Sequence, residues 1–472
     1  MANAMNEQVQ HLAEDVVKGG YCIGCGACAA VPGSPFKNRL DVYGRFQATV
    51  EPTGRLGCES IDVASVCPFS AFSANEQQIA AELFVGQAYH EQIGFFRSTY
   101  AGHVRENEYR GRGTSGGMCS WMLCELLDRG LVNGAVNVHP RTPSKEDGRL
   151  FQYGISTSTD DILRGAKSRY YPVDLSDVLE VLRQKTGRYA LVGVPCFVKA
   201  MRLLARQDPL IRERISFTLS LFCGHLKSTA FADLFAWQVG IRPGDLRGID
   251  FRKKLLDRTA SDYGVELTGL INGDLRTVVK PKNGLYGVWW GHGYFKYQAC
   301  DYCDDVIGET ADLSLGDAWL PRYTQDPKGT SIMVVRHPVL DAIIKEGIAQ
   351  QRLNLEHVHP DDVALSQESN YRHRGEGLAY RLYLNDRAAV WSPPKRVAPG
   401  FGSLSAVRRK IYEFRVKLTA ESHPAFREAV EADSFALFRD RMEPMAQPYN
   451  DLYRPWWRKW ASRGKRMARR II

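Results

Sequence analysis

The chain has 472 residues, 44% hydrophobic and 24% charged, the composition of a globular protein long enough for roughly two or three domains. Of its formal charge of +9, eight positive charges with no acidic partner stand in the segment 454–472, so the body is near neutral and is not a nucleic-acid-coating surface. No secretory apolar segment follows Met1 and no apolar run is long enough to span a bilayer, which predicts a cytoplasmic protein.

Eleven cysteines, an odd number in a reducing compartment, argue for metal or thiol chemistry over a disulfide framework. After an amphipathic helix over 6–18, residues 1–85 read as an irregular Gly- and Cys-rich segment. Cys22-Ile-Gly-Cys25-Gly-Ala-Cys28 spaces three thiols so that one loop can wrap three corners of a cubane cluster. Pro32 stands where a ferredoxin run would place its fourth cysteine. Cys67, followed by Pro68, is the nearest replacement, and Cys58 competes with it. Five cysteines suffice for one cluster only, and a four-cysteine zinc knot is the other reading.

Residues 86–365, split near 180, alternate between strand and helix patterns and predict an α/β core built on a parallel sheet. Gly113-Thr114-Ser115-Gly116-Gly117 opens an apolar helix running to about Arg129, a start that suits a phosphate or pyrophosphate; a plain Ser115 N-cap is the alternative. Cys119 and Cys124 on that helix read as core, and a strand over 134–138 follows. Lys167 and Ser168, within Gly165–Tyr170, offer a cation and a hydroxyl to the same phosphates. A strand at 189–193, a helix at 197–204 and a strand at 215–221 form a right-handed βαβ unit. Cys196 and Cys223 follow its two strands and therefore belong at the carboxyl edge, where such sheets bind ligands. With Cys300-Asp-Tyr-Cys303 they can close a second 4Fe-4S site. Asn272-Gly273 predicts a hairpin between alternating strands over 264–280. Residues 366–472 form a helical extension whose Trp456, Trp460, Gly464, Met467 and Ile471 recur at helical spacing among cations. That tail suits a peripheral contact with the inner face of the membrane, docking on the protein's own core, or an acidic ferredoxin.

These stretches together resemble the family of coenzyme factor-420 (deazaflavin) hydrogenase and dehydrogenase beta subunits, which includes the 7-hydroxymethyl chlorophyll a reductases of plants and cyanobacteria. The resemblance runs from about Cys22 to Arg336 through the ferredoxin-like run, Thr114–Gly117, Gly165–Ser168, Val194-Pro-Cys196, Phe222-Cys223-Gly-His225, Phe251-Arg252, Cys300–Cys303, Ala311–Trp319 and Gly329–Ser331. It implies an FAD-binding α/β domain with 4Fe-4S clusters. Ser115, Gly116, Gly117, Lys167 and Ser168 would contact the flavin, with Thr114 in the same loop, and Cys196, Cys223, Cys300 and Cys303 would hold the inner cluster. Cys22, Cys25 and Cys28 would hold the outer one, with Cys67 as fourth ligand and Cys58 as its competitor, since Pro32 departs from the family's ferredoxin spacing.

The resulting expectation is an oxidoreductase in which two 4Fe-4S clusters exchange electrons with FAD, joining one-electron supply to hydride chemistry on a small-molecule substrate. A ferredoxin-like donor or the deazaflavin coenzyme would be the redox partner, and His225, His292 and Asp317 are the candidate proton donors. The contrasting expectation is a zinc-containing scaffold whose basic tail binds membrane or nucleic acid.

Overall fold

The computed structural model describes residues 2–51, 62–144, 147–402 and 404–453, so Cys58 and the tail at 454–472 lie outside the described residues. An eight-stranded sheet organises them, made of Ser98–Val104 (β1), Gly134–Pro140 (β2), Phe151–Ser156 (β3), Tyr189–Gly193 (β4), Ile215–Leu221 (β5), Leu313–Asp317 (β6), Ser331–Val335 (β7) and Leu353–His357 (β8). Its order is β8-β1-β7-β6-β5-β4-β2-β3.

The sheet is mixed, which corrects the expectation of a parallel one. β2, β4, β5 and β6 form a contiguous parallel block, while β3 turns back on β2 and β7 on β6. β2 and β3 are joined only by residues 141–150, too few for a crossover helix, which leaves an antiparallel return, while residues 318–330 between β6 and β7 hold no more than the one-turn helix Pro321–Thr324. β4 is buried at every residue, as the interior strand of a covered sheet must be. The βαβ unit stands as expected, with Pro195 supplying the first turn of the helix Pro195–Gln207 directly after β4. A separate antiparallel sheet contains Leu246–Lys253, Gly264–Ile271 and Asp274–Pro281. Its hairpin turns at Asn272 (φ 53°) and Gly273 (φ 87°), two consecutive left-handed residues that match the strand twist.

The amino-terminal segment is less irregular than its composition suggests, for the hairpin Phe36–Leu40/Phe46–Val50 covers the first cysteine loop. Cys25, Leu12, Val16 and Phe36 share one apolar cluster with Phe197 of the βαβ helix and Leu378 and Leu382 of the extension. The helices Ala406–Glu431 and Phe435–Tyr453 insert Tyr412, Phe426 and Phe438 among Phe231, Phe251 and Phe295. The extension is thus part of the core it follows. Among the described residues no helix is long and apolar enough to cross a membrane.

Candidate cofactor site

Parallel strands that stop together leave a crevice at their carboxyl ends. Here Asn137 and Val138 of β2, Val192 and Gly193 of β4, Leu221 of β5 and Leu315–Asp317 of β6 form the floor of a cavity of ≈ 800 Å³. Thr114, Ser115 and Gly117, then Lys167 and Ser168, line one wall. The two predicted phosphate segments do meet: the Ser168 backbone N–H donates to Thr114 Oγ1 at 2.8 Å, and the two hydroxyls lie 3.2 Å apart.

Gly116 stands behind that wall. Its N–H donates to Ser331 Oγ at 3.0 Å, and a Cβ there would lie 2.4 Å from the Gly102 carbonyl oxygen. The helix itself begins at Met118 and is capped by Gly117 (φ 85°), so Ser115 is not its N-cap. Ser115 Oγ is instead buried with no hydrogen-bond partner. Cys124 is core as expected, but Cys119 faces the cavity.

The cavity is cationic and aromatic. Arg252 forms a two-pronged pair with Asp317 and sits over the rings of Tyr263 (4.1 Å) and Trp319 (5.2 Å). Lys167, held at φ 99°, pairs with Asp250 at 3.2 Å. Behind the lining, Lys254 donates to the Arg110 and Ser115 carbonyls, the latter at 2.9 Å, and burial, then repulsion from Lys167 and Arg110, brings its pKa down to about 7. Burial also lowers Arg169 to about 10. Arg169 Nε and Arg252 Nε are buried without partners, like Ser115 Oγ. Three unmet donors around a large positive cavity walled by aromatic rings fit a planar ligand that carries phosphate. Arg169, Arg252 and Trp319 belong to segments quoted above but had no role of their own assigned from sequence; Lys254 and Tyr263 had no signal beyond residue type.

Both cysteine sets assemble beside this cavity. Cys25, Cys28 and Cys67 lie close enough to act electrostatically on one another and on Cys22, with Cys25 buried and the other three half-buried. Burial, followed by neighbouring thiolates, raises Cys28, while burial lifts Cys67 to about 12. Backbone N–H groups of Gly24 and Ala48 donate to Cys22 Sγ at 3.4 and 3.5 Å. In the second set Cys196 is acted on by Cys303, Cys223 and Cys300. Burial pushes Cys223 up to about 11 and Cys300 up to about 12, and Leu226 N–H donates to Cys300 Sγ at 3.2 Å. Cys25 also acts on Cys196, so the two sets adjoin. Among the described residues no three His, Cys, Asp or Glu side chains close around the position of a single metal ion.

Of the three candidate proton donors, Asp317 lines the cavity. His225 lies between lining residues, stacked on Trp290 at 4.0 Å; its Nε2 is buried without a partner and burial lowers its pKa well below 6.5. His292 is elsewhere, bonded to Asn450 Oδ1 at 2.7 Å among Trp289, Tyr294 and Tyr449.

Models of the coenzyme F420 hydrogenase/dehydrogenase beta subunit match residues 99–180 with the N-terminal part and 186–361 with the C-terminal part. The chain belongs to this family. It is similar to an uncharacterized protein of Methanocaldococcus jannaschii, at 24% identity over 241 residues, 50% of this chain and 59% of that protein. It is also similar to a component of the F(420)H(2) dehydrogenase of Methanosarcina mazei, at 23% identity over 222 residues, covering 44% and 55%. The chain thus spans little more than half the length of these curated relatives. Among solved structures it is similar to a chain of the F420-reducing NiFe hydrogenase complex from Methanosarcina barkeri, with TM-score 0.45, 17% identity and coverage of 61% of this chain and 93% of that one.

Proposed function

We propose that this member of the family is an iron–sulfur flavoprotein oxidoreductase. The observation that carries the reading is adjacency: two sets of four thiols, Cys25 and Cys300 buried and the rest half-buried, adjoin each other at the edge of a cationic cavity with unmet donors. Four neighbouring thiols hold their protons until a positive group compensates the thiolates, and an iron cubane is such a group. A cubane also presents four separate irons, one for each sulfur, which suits thiols that do not close on one point. Cys22, Cys25, Cys28 and Cys67 would hold one cluster; Cys196, Cys223, Cys300 and Cys303 would hold the other.

FAD is the ligand proposed for the cavity, where it would supply hydride transfer fed by single electrons. The chain's own residues bind and orient it: Ser115, Arg169, Lys167 and Ser168 toward the phosphates, Tyr263 and Trp319 as aromatic walls. Gly116 shapes the loop from behind. Asp317, held by Arg252, would hold or accept a proton inside the cavity, and His225, stacked on Trp290 and kept neutral by burial, is the second candidate. The family name and the Methanosarcina mazei relative support the deazaflavin coenzyme as hydride partner, with a ferredoxin-like donor as the other candidate.

Anaerobic purification of the full chain tests this. About eight irons with matching sulfide and about one FAD per chain are expected. Protein that binds zinc alone and shows no flavin absorbance would overturn it.

A further inference from the structure

One buried arginine faces the second cysteine set and lies outside the segments matched by the family models, which end at residue 361. Arg374 closes the helix Glu368–Arg374 and is 3% exposed. Its Nη2 donates to the Gly224 carbonyl at 2.9 Å, which fixes the guanidinium next to Cys223. Nε and Nη1 are buried and have no hydrogen-bond partner. A guanidinium left with unmet N–H groups in the interior is unfavourable unless an anion faces it. The groups that act on Arg374 most strongly are the thiols of Cys303, Cys223 and Cys300, ahead of the Asp305 carboxylate.

Other cations near this set have partners of their own, although Arg381 Nη1 is left unmet and Lys227, near Cys300, is met by the Tyr294 carbonyl and not by a carboxylate. Lys296 pairs with Asp301 at 2.5 Å, and Arg381 gives N–H groups to the carbonyls of Asp301 and His373 at 2.8 Å each. The first cysteine set faces both signs, with Asp41 beside Arg45 near Cys22 and Asp174 near Cys25. The second set faces both signs too, with Asp304 and Asp305 near Cys303, but Arg374 leaves two N–H groups unmet there, whereas Arg45 beside the first set is paired with Asp41.

We propose that Arg374 sets the redox potential of a cluster held by Cys196, Cys223, Cys300 and Cys303 by favouring its one-electron-reduced form. This rests on the cluster reading above. A cubane with four thiolates is anionic, and one added electron, drawn from an external one-electron donor, makes it more so. In a low dielectric a nearby guanidinium lowers the energy of that added charge, which raises the potential of the inner set above that of the outer. Electrons entering at Cys22, Cys25, Cys28 and Cys67 then run inward toward the cavity. A residue contributed by the carboxyl-terminal extension would thereby bias a path built by the family core.

The test is a dithionite redox titration followed by electron paramagnetic resonance, on anaerobically prepared full-length wild type, Arg374→Gln and Arg374→Lys, with iron and sulfide counted in each. Arg374→Gln is expected to keep its iron and to show a reduced-to-oxidised ratio of the inner cluster about tenfold lower at the wild-type midpoint, equivalent to about 59 mV for one electron. Arg374→Lys should recover most of that loss. A glutamine variant with full iron and the wild-type midpoint overturns the proposal. So does loss of iron from the glutamine variant, which would assign Arg374 to holding the cluster and not to its potential. Wild-type protein without iron would instead overturn the cluster reading itself.

Discussion

The Arg252 guanidinium meets the Asp317 carboxylate with both prongs, Nη1 to Oδ2 at 3.1 Å and Nη2 to Oδ1 at 3.2 Å. This pair ties the three-stranded sheet to the carboxyl end of β6 at the cavity wall. The Arg252 side chain is 5% exposed and Asp317 22%. Replacing Asp317 by Asn leaves a buried guanidinium facing a neutral amide. Asp317→Asn should therefore lose up to about 3 kcal/mol in urea unfolding, less than a fully buried pair because water reaches the carboxylate. A change below about 0.5 kcal/mol would show that solvent replaces the carboxylate at no cost.

Lys254 predicts how ligand binding depends on pH. Burial, then Lys167 and Arg110, lowers it from 10.5 to about 7, so the empty folded protein gives up this proton before the unfolded chain does. The penalty for charging Lys254 is fully present below about 7 and is relieved as pH rises above it, so this group adds stability toward alkaline pH. A bound phosphate reverses the preference, because it favours the ammonium form. FAD affinity should be greatest at or below about pH 7 and weaken above it, with a proton taken up on binding. Lys254→Met should bind FAD more weakly and with a flatter pH profile; a flat profile in the wild type would remove Lys254 from the site.

Much of the site was legible because its chemistry is carried by spacing. Both cysteine sets, the loop at Thr114–Gly117, the segment at Lys167–Ser168 and the placement of Cys196 and Cys223 at strand ends follow from local pattern. The hairpin at Asn272-Gly273 and the βαβ unit follow for the same reason. The edges of the sheet do not. β7, β8 and β3 are as apolar or as short as parallel strands would be, and their direction is set by connections and by pairing with β1 and β2, distant in sequence. His292 carries the same side chain whether it faces a ligand or Asn450, so residue type alone misplaced it. Arg374 gives no sign at all, because its meaning comes from Gly224 and three thiols brought to it by folding.

Gly116 provides a test of the loop that requires no cofactor to interpret. A methyl there meets backbone, the Gly102 oxygen at 2.4 Å and the Ser331 nitrogen at 2.8 Å, and neither can swing away as a side chain would. Gly116→Ala should cost about 1–3 kcal/mol and weaken flavin retention by displacing Ser115. Gly111 is the matched control: nothing lies within 4 Å of its added Cβ, so Gly111→Ala should stay within about 0.5 kcal/mol of wild type. Equal losses in both variants would place the effect in the backbone of the segment 109–117 and not in the close approach at the cavity wall.

Cys67 and Cys196 separate the two thiol sets. Cys67 is acted on by Cys22 and acts on Cys25 and Cys28, whereas Cys196 answers mainly to Cys303, Cys223 and Cys300. If each set holds its own cubane, Cys67→Ala and Cys196→Ala should each lower iron from about eight to about four per chain, and the double variant should approach none. The resonance lost in one single variant should be the one retained in the other. Cys58 lies outside the described residues and competes for the place of Cys67, so Cys58→Ala belongs in the same series and should keep about eight irons. Full iron in Cys67→Ala with half lost in Cys58→Ala would hand the fourth ligand to Cys58. Complete loss in Cys67→Ala or Cys196→Ala would mean that the sets assemble only together, in keeping with the electrostatic influence of Cys25 on Cys196.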